Sequence, residues 1–171
     1  MENYNTLSSY LGRLVTIEVL IGFAVLAVIA FLMRNRLEKW LRLSKWRSLW
    51  VAWSVAGILA FTIRLWDSNG FDPVPWFLRF DRWVSAFEPG VNWFLNIALF
   101  IPSGFLLTAF GKRWTGSFIA LVVLSAAIEL FQQYTKYGIG DPADFTANTI
   151  GALIGVSLGI WRPLARLLNR N

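Results

Sequence analysis

Six amide and carboxylate side chains lie in or at the edges of stretches that are otherwise apolar, and their spacing groups them. Glu129 has Ser125 four residues before it, Gln132 three after it and Gln133 four after it. On a helix these positions form one polar stripe. Asp144 and Asn148 are also four apart, and Gly151, Gly155 and Gly159 continue the same line. Asn96 is followed by Pro102, Ser103 and Gly104, and Arg64 precedes Asp67 by three residues, a distance at which the two can pair. Carboxylates and amides in hydrocarbon are costly, so they face a bundle interior or a wet cavity and mark sites by default. What such groups can do is hold a polar headgroup, bind a cation through oxygen, or exchange a proton. With no Cys and no His in the chain, thiol nucleophiles, zinc sites of the Cys/His type and imidazole acid–base chemistry are excluded.

The elements that must position these groups are membrane helices. The 171 residues are 56% hydrophobic and 15% charged, against roughly 25% charged in an average soluble domain. Ten Trp fit a chain with many membrane–water boundaries, where indole rings concentrate. Five stretches approach the ~20 apolar residues that a spanning helix needs: 14–33, 49–66, 93–110, 114–134 and the short, Gly-rich 145–161. The first has its cations after it (Arg34, Arg36, Lys39) and no small-residue cleavage site, so it reads as a retained helix rather than a signal peptide.

Charge orients the bundle. Arg34, Arg36, Lys39, Arg42, Lys45 and Arg47 follow the first stretch, Lys112 and Arg113 form a tight turn with Gly111, and Arg162, Arg166 and Arg170 end the chain. The opposite connections mix Arg13, Arg79, Arg82 and Lys136 with Asp67, Asp72, Asp81, Glu88 and Asp141. The positive-inside rule places the amino terminus outside and the carboxyl terminus in the cytoplasm. The net charge of +6 is thereby explained by topology and contact with anionic lipid. Nucleic acid is not implied, because no soluble segment carries base-stacking aromatics. The expected fold is all-α: one polytopic helix bundle over 1–171 with five crossings. In the long outer connection, the apolar positions 76, 77, 80, 83, 84 and 87 follow helical spacing and predict a short interfacial helix over 76–87. This orientation brings Arg64, Asn96, Glu129, Gln132, Gln133, Asp144 and Asn148 to one outer layer. Asp144, followed by Phe145, also fits a helix N-cap, and the glycine line fits close helix packing.

The ordered set Asn96-x5-Pro102-x-Gly104, Glu129-x2-Gln132 and Asp144-x3-Asn148-x2-Gly151-x3-Gly155 resembles the VanZ-like family of small bacterial membrane proteins. The stretches NIALFIPSGFLL, IELFQQ and DFTANTIGALIG, within 92–159, carry the likeness. The resemblance implies a multi-pass protein of the bacterial cell membrane, associated with lowered sensitivity to teicoplanin, with a polar signature at Asn96, Glu129, Gln132, Asp144 and Asn148. Many members have an Arg shortly before the Asp. Here Lys136 is the only nearby cation in sequence, and a Lys offers a point charge without a planar fork; Arg64 is the candidate substitute.

Three function classes remain open. The chain binds an amphiphile at the outer leaflet, either a lipoglycopeptide or a lipid-linked envelope precursor. Or it is an intramembrane enzyme in which Glu129 and Asp144 act as acid and base, with an oxygen-ligated divalent cation as a variant of that reading. Or it is a structural subunit whose glycine face serves a partner. Membrane lipids are the expected partners and no cofactor is called for. The absence of a nucleophile or familiar catalytic motif weighs against the enzyme, and the oligomeric state is left open.

Overall fold

The computed structural model describes residues 17–63, 75–79, 82, 83, 86, 90–111, 113–135 and 140–161. Among them are six α-helices, one 3-10 turn and no strand: α1 (Ile17–Leu32), α2 (Arg34–Leu41), α3 (Lys45–Thr62), the turn Trp76–Leu78, α4 (Val91–Ala109), α5 (Trp114–Thr135) and α6 (Pro142–Ile160).

Three of these, α4, α5 and α6, are long and apolar enough to cross a membrane. The pair α1 and α2 passes the same test jointly but is bent by 73°, which gives up to four. The remaining expected crossing, the second stretch at 49–66, is α3. It starts at Lys45 rather than Leu49, so Lys45 and Arg47 enter the helix and dilute its apolar length. Its backbone turns extended at Ile63, and residues 64–66 lie outside the described residues. The α1–α2 break is local: Met33 precedes an amphipathic helix, and Arg42 closes it in a left-handed conformation with φ 52°.

The predicted interfacial helix over 76–87 is not one continuous helix in its described part. Trp76–Leu78 is a 3-10 turn, Arg79 leaves helical geometry, and Arg82 and Trp83 resume it. The apolar spacing that suggested a lipid-facing stripe instead turns inward at Trp76, which is buried between Gln133, Gly140 and Phe145.

The tightest packing is between α4 and α6. A methyl group placed on Gly151 would collide with the backbone carbonyl of Ile97, and one on Gly155 with the carbonyl of Ile101. One on Gly159 would stand 2.7 Å from the Thr108 side chain and 2.8 Å from the Phe105 carbonyl oxygen. From the other side, a methyl on Gly104 would stand 2.8 Å from the Ala152 carbonyl oxygen and 2.9 Å from the Val156 nitrogen. Contacts that advance together along both helices mean that α4 and α6 run parallel, with α5 antiparallel to them. Glycine C–H groups facing carbonyl oxygens also suit weak Cα–H···O bonds, which recur at such interfaces. Behind this seam, Ile58, Phe100, Leu121, Ile128 and Ala152 form the apolar core. Large apolar side chains point outward along α1 (Leu20, Val25, Val28), α5 (Ile119, Val123) and α6 (Leu153, Ile154, Leu158), as hydrocarbon surroundings permit. α6, whose glycine line fits close packing, has the largest buried share of the three apolar helices.

Pro102 sits inside α4 on an exposed position, so its ring does not disturb the seam. Gly111, with φ +88°, makes the reversal between α4 and α5 that a side chain would strain.

Gly155→Ala and Gly151→Ala are expected to destabilise the detergent-solubilised protein by about 1–3 kcal/mol through overpacking. Gly116→Ala, where nothing lies within 4 Å, should be neutral or raise the melting temperature through helix propensity. Thermal unfolding of the three variants checks this; equal melting temperatures would refute the seam.

Candidate functional site

Parallel α4 and α6 bring their first turns to the same end of the bundle as the last turns of antiparallel α5, and the polar residues meet there. Each is held by a bond to a different element. Asn96 on α4 donates its amide to Asp144 on α6 at 2.6 Å. Asn148, one turn further along α6, donates to Ser125 on α5 at 3.1 Å. Glu129, one turn after Ser125, accepts the backbone N–H of Asp141 at 2.9 Å. Gln133 accepts the backbone N–H of Trp76 at 3.0 Å, and Gln132 donates to the Thr62 carbonyl at the end of α3 at 2.7 Å. Glu129 and Asn148 are each 1% exposed, whereas Asp144 is half-buried.

The start of α6 differs from the sequence expectation. Its N-cap is Asp141, whose side chain accepts from Ala143 N at 2.9 Å, with Pro142 in the first turn. Asp144 is therefore inside the first turn, where its carboxylate is free to point across to Asn96 instead of closing on its own backbone. The Asp-Pro pair at 141–142 is a helix-start signal in its own right and would have located the cap. Arg64, its neighbour Asp67, and Lys136 lie outside the described residues. The cation that the structure brings near this turn is Arg82, whose guanidinium reaches the Gly140 carbonyl at 3.5 Å. It comes from a segment nearly sixty residues away, so no local pattern points to it.

The VanZ/LLP1 family model matches residues 18–164. The chain belongs to this family. The match extends well beyond the 92–159 signature and takes in α1 to α3 as well as the polar layer. No curated protein and no solved structure matches the chain.

Two further contacts in this VanZ/LLP1 chain escaped sequence reasoning. Ser103 donates to Ser54 at 2.9 Å and ties α4 to α3. Thr146 Oγ1 lies 3.0 Å from the Ala86 carbonyl oxygen and 2.9 Å from that of Ala143. Hydroxyls of this kind are too common in apolar helices to be singled out before their partners are seen. Above the layer, Trp76, Trp83 and Phe145 form a cluster with ring centroids 4.9–6.4 Å apart, and Gly140 fits beneath it because a side chain there would strike Trp76 and the Glu129 carbonyl.

The layer is not balanced in donors and acceptors. Asn148 Oδ1 and Gln132 Oε1 are buried acceptors with no partner among the described residues, and Trp76 Nε1 is a buried donor in the same position. Asp141 and Asp144 stand close enough to Glu129 to act on it electrostatically. A double-mutant cycle on Asn96→Ala and Asp144→Ala, read by unfolding in detergent, should return a coupling of about 0.6–1.7 kcal/mol, the span seen for hydrogen bonds between membrane helices. Strict additivity would mean that the bond contributes nothing.

Proposed function

We propose that this VanZ/LLP1 protein is a five-crossing protein of the bacterial cytoplasmic membrane that binds the headgroup of an amphiphile at the outer leaflet and thereby lowers sensitivity to a lipoglycopeptide such as teicoplanin. The observation that carries the reading is the convergence of Asn96, Glu129, Asp144 and Asn148 on one end of the α4–α5–α6 unit, with buried amide oxygens there left without donors among the described residues. Buried polar groups are nearly always partnered, so an orphan acceptor beside carboxylates is a place for a polar guest. The basic residues of 34–47 and Arg113 fall at the other end of the bundle, which supports an outer position for the layer.

A second reading draws on the same bonds. Each polar side chain joins two elements, so the layer also suits a clamp on the helix ends. The two readings separate in cells. Expressed in a teicoplanin-sensitive bacterial host, the wild-type chain should raise the inhibitory concentration, and Glu129→Gln, Asp144→Asn and Asn148→Ala should abolish the rise at normal protein level. Protection that persists in all three variants leaves only the clamp. A glycopeptide without an acyl chain should be affected less, because the membrane end of the drug is what brings it to this depth.

Topology is checked independently. The chain has no native cysteine, so single replacements report cleanly. Asn92→Cys should be labelled by an impermeant maleimide in intact cells and Arg113→Cys only after permeabilisation. The reverse pattern would invert the bundle and move the site to the inner leaflet.

A further inference from the structure

The polar layer sorts its unmet groups by kind. Toward the inside of the bundle they are acceptors. Asn148 is 1% exposed and its Oδ1 has no partner among the described residues. Asn148 stands within a turn of both carboxylates: its amide bonds Ser125, one turn before Glu129 on α5, and it follows Asp144 by one turn on α6. Glu129 and Asp144 have one described hydrogen-bond donor each, Asp141 N and the Asn96 amide, and carboxylates have lone pairs for more. Among the described residues, the charges acting on these two side chains are those of other carboxylates. Toward the loop side the unmet group is a donor: Trp76 Nε1 is buried without an acceptor among the described residues. The Trp76 Cδ1 beside it packs 3.2 Å from where a Gly140 side chain would begin, and Arg82 reaches the carbonyl of that glycine.

Candidate guests can be tested against this pattern. An anion at the inner part would face carboxylates and bare amide oxygens. A divalent cation needs a set of oxygen ligands converging on one point, and among the described residues no group of three or more acidic side chains is so arranged. A quaternary ammonium carries charge but no N–H, so it leaves the amide oxygens unmet. A primary ammonium supplies both the charge and three N–H donors in one small group.

We propose that the layer between α4, α5 and α6 takes the primary ammonium of an aminophospholipid headgroup, entering beside half-buried Asp144, with Asn148 Oδ1 and Glu129 as its inner partners. The phosphate of the same headgroup then lies toward Trp76 Nε1 and Arg82, so a zwitterion with phosphate outside and ammonium inside meets the complementary group at each end. This rests on the headgroup-binding reading above and names its ligand.

The test is native mass spectrometry of the full chain reconstituted in nanodiscs holding equal phosphatidylethanolamine, phosphatidylcholine and phosphatidylglycerol. Phosphatidylethanolamine should be retained over the other two by about tenfold. Glu129→Gln and Asn148→Leu should erase the preference, while Asn148→Asp, which keeps the acceptor and the shape, should preserve it even if the leucine variant does not fold. Equal retention of all three lipids, or preference for the glycerol lipid, overturns the ammonium assignment and leaves headgroup binding standing. No retained lipid with any variant overturns both. Stabilisation by soluble ethanolamine without retention of the lipid overturns the lipid as the source.

Discussion

The close approach of the α4 and α6 backbones is the constraint on which the rest of this fold depends. Lipid tails are as apolar as leucine, so membrane helices associate through packing rather than through escape from water. Gly151, Gly155 and Gly159 let α6 settle against the carbonyls of Ile97, Ile101 and Phe105, while Gly104 offers the matching recess on α4. Because the approach repeats at every turn, it fixes direction as well as distance. The two helices run parallel, and their starts lie together. Asn96 and Asp144 can therefore meet at 2.6 Å, and α5, returning in the opposite sense, presents Ser125, Glu129, Gln132 and Gln133 to the same level.

The side chains at that level mostly serve backbone ends. Glu129 accepts an N–H from the residue that caps α6, Gln133 accepts one from the 3-10 turn, and Gln132 donates to a last-turn carbonyl of α3. Helix termini leave backbone groups unsatisfied, and in hydrocarbon no water stands ready to take them. The polar stripe of α5 supplies the partners that solvent would otherwise provide. Among the described residues, partners are still lacking for the amide oxygens of Gln132 on α5 and Asn148 on α6, and that remainder is what the proposed headgroup site rests on.

Much of this was legible in the sequence because periodicity is written in side chains. The i, i+4 spacing of Asp144 and Asn148, of Ser125, Glu129 and Gln133, and of the three glycines survives directly in the fold, and so does the resemblance of these stretches to VanZ-like proteins. Backbone partners are not written that way. Nothing in the identity of Thr62, Trp76 or Asp141 announces that its main chain will meet a glutamine or a glutamate. The stripe at 76–87 misled for a related reason: aromatic spacing reports that a side is apolar without reporting whether lipid or a helix bundle lies against it, and Trp76 turns toward the bundle. Span counting met a different limit. α3 carries Lys45 and Arg47 in its first turn, so its apolar length depends on where the helix starts, and the bend after α1 leaves an apolar helix of 16 residues that passes as a span only together with the charged α2.

The parallel seam also sets an order of events on the ribosome. α6 is the least apolar of the three long helices, and it emerges after the other two with Asp144 and Asn148 and a face of bare glycine. The groups that match its glycine and amide face, the carbonyls on α4 and Ser125 on α5, belong to the hairpin made before it. Neither part is complete alone: the hairpin waits with open acceptors and an open groove, and α6 has little reason to remain in hydrocarbon until it finds them. Insertion of α6 is thus an assembly step that follows synthesis of the α4–α5 hairpin, in which the later helix closes onto the earlier pair.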